Sequence, residues 1–153
     1  MTNTTTRTGR LPGPRSDAEL ASALRVSLAR LTRRLRRQAG ANTLTPTQLA
    51  TLAAVERHSA MTPGELAELE KMQPPSMTRV IAALEERELL ARTPHPTDRR
   101  QVTVSVTEAG RGLLKEERRR KEAWLAMRLE ELSPEERATL RAAAPILEKL
   151  SQT

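Results

Sequence analysis

Cysteine is absent from this 153-residue chain. Its absence excludes disulfides, thiolate-held zinc or iron–sulfur centres and thiol-based redox sensing in one step. Aromatic side chains are nearly as scarce, with no phenylalanine, no tyrosine and a single tryptophan, Trp124. Modules that bind RNA or single strands stack splayed bases on such rings, so that class of function has no platform here. The two histidines, His58 and His95, are too few and too distant in sequence to specify a metal site, and each reads as a polar surface or turn residue. No cofactor motif appears either. No apolar run approaches the roughly 18 residues a spanning helix needs; the densest stretches, 52–55 and 142–147, are short, and the second contains Pro145. Residues 1–16 lack the apolar segment of a secretion signal. The chain is therefore expected in the cytoplasm, with no membrane partner.

Positive charge is what the sequence has in excess. Lysine and arginine total 26 against 19 aspartates and glutamates, a formal net charge of +7. Such a surface attracts polyanions. With base stacking excluded, double-stranded DNA, held by its phosphates and read in a groove, is the partner that fits.

Residues 1–15 are rich in Thr, Arg, Gly and Pro with little to bury, and read as a disordered basic arm. Ser16 and Glu19 have capping-box spacing, and Leu20, Leu24, Leu28, Leu31 and Leu35 recur at helical intervals, which predicts a first helix over 17–39 that stops at Gly40. Thr45-Pro46-Thr47-Gln48 opens a second helix over 46–57. Thr62-Pro63-Gly64-Glu65 repeats that grammar and opens a short third helix ending by Lys71. Pro74-Pro75 then precedes a helix over 76–86 whose Met77, Val80, Ile81 and Leu84 share one face. Two short helices joined by a few residues around Met72 and Gln73 have the layout of a helix-turn-helix. Segments 89–93 and 101–106 bracket a turn-rich stretch, and Val102, Val104 and Val106 alternate with Thr103 and Ser105, which predicts a hairpin with one buried face. Thr107 caps a long helix running to about Glu131. Ser133 opens a last helix that Pro145 should bend or divide.

A helix-turn-helix followed by a two-stranded wing, with long helices on either side, resembles the MarR family of bacterial regulators. The resemblance rests on Gln73-Pro74-Pro75-Ser76-Met77-Thr78-Arg79, Leu84-Glu85-Glu86-Arg87, Leu89-Leu90-Ala91-Arg92, Asp98-Arg99-Arg100 and Val106-Thr107-Glu108-Ala109-Gly110, in the family's order and spacing. It implies a mainly α fold with a small β wing: a basic arm over 1–16, a dimerisation helix over 17–41, a winged helix-turn-helix over 42–106 and C-terminal dimerisation helices over 107–153. It also implies that the helix begun near Pro75 enters the major groove with Gln73, Pro75, Ser76, Thr78 and Arg79 at the DNA. Arg79 is suited to bidentate contact with guanine. In the wing, Arg100 would enter the minor groove, braced by Asp98, with Arg99 on a phosphate. The family further implies a homodimer on a pseudo-palindromic operator, repression, and release by a small aromatic or anionic effector.

Competing readings attach to several of these residues. A compact chromosome-associated protein, binding DNA without sequence preference, would show the same charge. Arg30, Arg33, Arg34 and Arg37 on the first helix read as a solvated face, and the run 118–121, set between Glu116-Glu117 and Glu122, as partners in ion pairs within its own helix. Trp124 and Met77 read as packing residues rather than an effector contact or an oxidation sensor. Gly110-Arg111-Gly112 lacks the spacing of a phosphate loop, and no nucleophile with a nearby base can be assembled, so the chain is not expected to be an enzyme. Glu88 stands where the family commonly has glycine. Either the helix ends there in a different turn, or a left-handed conformation is tolerated at a cost of roughly 1 kcal/mol.

Overall fold

A computed structural model describes residues 13–38, 40, 44–98 and 100–152. Most of the predicted basic arm, and Arg99 at the wing tip, lie outside them. Two compact units divide the chain after Arg37. The first holds α1 (Asp17–Arg37). The Ser16 hydroxyl caps it by accepting the Glu19 amide at 3.2 Å, while the Glu19 carboxylate accepts the Arg15 amide at 2.6 Å. None of its residues is buried within the single chain, and Leu20, Leu28 and Leu31 of the leucine stripe are exposed.

The second unit holds the winged domain and two further helices. Its order is α2 (Pro46–His58), α3 (Pro63–Leu69), α4 (Pro74–Glu86), β1 (Leu90–Pro94), β2 (Val102–Val106), α5 (Glu108–Glu130) and α6 (Pro134–Ser151). Threonine caps at Thr45 and Thr62 and a serine cap at Ser133 each form both halves of a capping box, with Gln48, Glu65 and Glu136, and each has proline at the start of the helix. That combination satisfies two orphan donors and presets the first helical φ, so these starts follow from sequence. The α6 helix runs through Pro145 undivided. No helix among the described residues is long and apolar enough to cross a membrane.

The core sits where α2, α3 and α4 meet the base of the wing. Leu52, Val55, Leu66, Met77, Ile81, Leu84 and Val104 have no exposed surface, and Leu114 of α5 closes the cluster. Full burial of an aliphatic side chain of this size stabilises by about 1.5–3 kcal/mol, so this cluster fixes how α4 lies on its supports. Val80, expected on the same face, is only half-buried at its edge.

The wing is a two-stranded antiparallel sheet in which Leu90 pairs with Val106 and Pro94 with Val102. Met61 adds an isolated bridge to Val104, its amide donating to the Val104 carbonyl at 3.1 Å and the Val104 amide returning to Met61 at 2.8 Å. Burial along β2 departs from strict alternation. Val102 is 38% exposed, whereas Thr103 is buried and its hydroxyl lies 3.0 Å from that of Thr93.

Candidate nucleic-acid interface

The turn between α3 and α4 is short and tightly bonded. The Met72 amide donates to Ala67 O at 2.8 Å and the Lys71 amide to Glu68 O at 3.1 Å, with Lys71 in a left-handed conformation at φ 51°. Gln73 is the N-cap of α4, but its side chain makes no capping bond. Pro74 and Pro75 fill the first two helical positions. Proline is tolerated there because those amides have no partner inside the helix. The same two prolines remove amides that a helix start ordinarily offers to an anion, so any contact with an anion at this end would fall mainly to side chains.

Those side chains face outward. Gln73, Pro75, Thr78 and Arg79 are exposed and Ser76 is half-exposed, while Met77, Ile81 and Leu84 on the opposite side are buried. The Thr78 hydroxyl donates to Pro74 O at 3.0 Å, which leaves its oxygen free to accept from a base amino group. Ala82, one turn beyond Thr78 and Arg79, adds no bulk to that face.

At the far end of α4 the chain turns through Glu88, whose φ is 56°. Of the two outcomes considered for this residue, the strained one occurs. Its surroundings hold it there: the Glu88 amide donates to Glu85 O at 2.8 Å, the Leu89 amide to Leu84 O at 2.9 Å, and the Thr107 hydroxyl to Glu88 O at 2.6 Å. Thr107 is also the N-cap of α5, where its side chain accepts the Gly110 amide at 3.0 Å. A Cβ at Gly110 would collide with the Leu89 carbonyl and come within 2.7 Å of Val106 Cγ1. Gly110 thus lets α5 start directly against the base of the wing. A further tie joins wing to helix, since Arg92 Nε donates to both Glu85 carboxylate oxygens at 2.8 and 2.9 Å.

At the wing tip, Asp98 Oδ1 accepts the backbone amide of Arg100 at 3.0 Å, and the Gln101 amide donates to Asp98 O at 3.0 Å. Asp98 therefore braces the backbone that carries Arg100 rather than its guanidinium. The Arg100 side chain is exposed.

A charge census separates two kinds of arginine. Arg92, Arg111, Arg118, Arg119, Arg120 and Arg128 each pair with a carboxylate. Arg118 does so across elements, reaching Glu56 of α2 at 2.6 Å rather than a partner on its own helix, which corrects the expectation of purely internal pairs for 118–121. The Arg118 hydrogen bond holds the Glu56 carboxyl below its ordinary value, and that from Arg119 brings Glu116 down to about 2. Other guanidiniums, those of Arg57, Arg87, Arg137 and Arg141 among them, have no carboxylate or hydrogen-bond partner among the described residues; Arg79 and Arg100 are of this kind and lie on the outer face of α4 and at the wing tip. Both are exposed cations, Arg79 on a helix whose opposite face is buried in the core and Arg100 on a tip held by backbone hydrogen bonds.

The chain has counterparts among known proteins. The MarR family profile matches residues 44–102. An uncharacterised HTH-type transcriptional regulator of Mycobacterium bovis is 47% identical over 132 residues, 86% of this chain and 92% of its own. The chain belongs to the MarR family of winged helix-turn-helix transcriptional regulators. Among other relatives, the HTH-type transcriptional repressor MdtR of Bacillus subtilis is 34% identical over 71% of this chain and 68% of its own length. The fold has a crystallographic counterpart in a protein of Pseudomonas aeruginosa PA01, with a TM-score of 0.82 and 36% identity over 92% of this chain and 99% of that one.

Sequence reading placed α4 and the wing correctly but missed the Met61 bridge and the Arg92–Glu85 tie; His95, read as a polar surface or turn residue, lies in the turn, where its Nδ1 accepts the Asp98 amide at 3.2 Å. A one-residue bridge leaves no periodic pattern, and a pair seven positions apart across a turn follows no helical rule. Proline on each side of His95 marks a turn without telling which atom closes it.

Proposed function

We propose that the chain is a sequence-specific repressor that binds a pseudo-palindromic operator in double-stranded DNA as a homodimer, with α4 in the major groove and the wing tip at the minor groove. The observation that carries this reading is that Arg79 on the outer face of α4 and Arg100 at the wing tip both expose guanidiniums with no carboxylate partner among the described residues, on the two elements that a helix-turn-helix and its wing would bring to DNA. Exposed cations left uncompensated on rigid elements fit phosphate and base-edge contacts better than they fit a role in folding. Gln73, Pro75, Ser76 and Thr78 complete the proposed surface on α4, Arg99 meets a phosphate, and Asp98 supports the tip.

Dimerisation is supported by the apolar surface that the helices outside the winged domain leave open. Leu20 and Leu28 of α1 are each 45% exposed, and Ile146 and Leu150 of α6 are 62% and 63% exposed. A second copy related by a two-fold axis would cover such faces and set two α4 helices about 34 Å apart, one turn of DNA. Repression accords with the name of MdtR. Release by a small aromatic or anionic effector is the family's expectation, and by linkage such a molecule must bind free protein better than DNA-bound protein. A groove of about 310 Å³ on α5, lined by Gln38, Arg119, Arg120, Ala123, Trp124 and Met127, has suitable chemistry.

The test is a competition assay between the duplex upstream of the chain's own gene and random duplex. Arg79→Ala is expected to cost about 1–3 kcal/mol on the specific site and much less on random DNA. Equal losses on both would favour a chromosome-associated protein without sequence preference.

A further inference from the structure

The wing tip is shaped by side chains more than by strand pairing, and one imidazole nitrogen sits at the centre of it. His95 Nδ1 accepts the Asp98 amide at 3.2 Å and the Thr97 amide at 3.3 Å, with the Thr97 hydroxyl also 3.3 Å away. The bonds continue in a circuit. Asp98 accepts the amides of Arg100 and Gln101, each at 3.0 Å, and the Gln101 carbonyl accepts the His95 amide at 3.1 Å. The amides of Arg100 and Gln101 therefore lead back to His95 through at most two hydrogen bonds.

An imidazole nitrogen accepts a hydrogen bond only while it carries no proton. The tip as it stands requires a neutral His95 with its proton on Nε2. Of the charged groups near it, Glu65 on α3 interacts with it electrostatically and Asp98 and Arg100 lie on the tip itself, while Glu65, Glu68 and Arg100 line one cleft beside the tip. Glu65 is a fixed negative charge, its carboxylate bound by the Thr62 amide at 2.7 Å and hydroxyl at 2.9 Å, and it interacts electrostatically with His95. Protonation would turn Nδ1 from acceptor to donor, facing two backbone N–H groups, and would draw the cation toward α3.

We infer that His95 is a positioning residue for Arg100, and that the wing tip keeps its DNA-engaging shape only while the His95 ring is neutral. This rests on the proposed entry of Arg100 into a minor groove. Loss of the acceptor costs the wing its share of binding as pH falls, while α4 keeps its contacts. The pH effect is thus expressed as lost preference for narrow-groove flanks rather than as general release from DNA.

The test has two arms on the full chain. In the first, nitrogen-15 NMR of the free protein is expected to show the Nε2-protonated tautomer of His95 at pH 8, with the Thr97 and Asp98 amide signals moving together with the ring as pH is lowered to 5.5. In the second, affinity is measured at both pH values for the duplex upstream of the chain's own gene, flanked by A-tracts or by G·C pairs. The wild-type preference for A-tract flanks is expected to fall about threefold to tenfold at pH 5.5, the worth of one such hydrogen bond. His95→Asn offers a non-titrating side-chain acceptor to the same amides and should keep the preference at both pH values. His95→Ala should lack it at both. A ring protonated on Nδ1 at pH 8, or the same pH profile for wild type and His95→Asn, would overturn the inference. Arg100→Ala separates the two ideas: if it retains the full flank preference, the minor-groove reading fails, and the NMR arm alone judges the place of His95 in the tip.

Discussion

Glu88 holds a backbone conformation that glycine adopts freely, at the point where the proposed recognition helix hands over to the wing. Its φ of 56° is kept by bonds on both sides, above all the 2.6 Å donation from the Thr107 hydroxyl to its carbonyl. None of those bonds uses the Glu88 side chain. Glu88→Gly is therefore expected to keep the fold and to raise stability by up to about 1 kcal/mol, the relieved strain being partly offset by the greater freedom of glycine in the unfolded chain. Thermal or denaturant unfolding measures this, and clear destabilisation would show that the side chain contributes something the hydrogen bonds do not. Arg79 presents the opposite case at the same scale. It has no partner inside the described protein, so its loss should leave stability nearly unchanged and appear only when DNA is present.

At the scale of elements, helix starts were the most legible feature of the sequence. Thr45, Thr62 and Ser133 announce themselves by a hydroxyl, a following proline and a Gln or Glu three residues on, a grammar that is local and so survives without tertiary knowledge. The candidate site came from the family resemblance that Gln73 to Arg79 and Asp98 to Arg100 carry, and the structure adds that Gln73, Pro75, Thr78, Arg79 and Arg100 are exposed. What escaped reading was the joining of elements. Arg118 sits among glutamates of its own helix, yet it pairs with Glu56 of α2, and nothing within α5 marks that choice. Pro145 showed the converse, a strong local breaker, expected to bend or divide α6, that does not divide it. The Arg118–Glu56 pair is partly exposed, so Arg118→Ala is expected to lower the melting temperature only slightly at neutral pH. Arg118 lowers the pKa of Glu56, so the pair's contribution is complete above the ordinary carboxylate range and is lost as pH falls through the lowered value. The difference between wild type and variant should accordingly shrink in acid. A difference that is constant with pH would mean that Arg118 acts by packing alone.

For the whole molecule, the described structure leaves two kinds of surface unanswered: apolar faces on α1 and α6, and unpaired arginines on α4 and the wing. On the proposed reading a second copy of the chain covers the first and a DNA duplex meets the second. The protein is expected to sediment as a dimer at micromolar concentration, and a well-folded monomer under those conditions would remove the basis for paired half-sites. The strong positive balance of the chain makes some affinity for any duplex inevitable, with a steep dependence on salt. Affinity alone is therefore a poor witness. The pattern of contact is the better one, because two helices on a two-fold axis touch only one face of the double helix at a fixed interval. Hydroxyl-radical footprinting on the duplex upstream of the chain's own gene reads that pattern directly. Discrete protections about one helical turn apart on one face, lost with Arg79→Ala, are the predicted result; uniform protection along the duplex, unchanged by that substitution, would contradict the account.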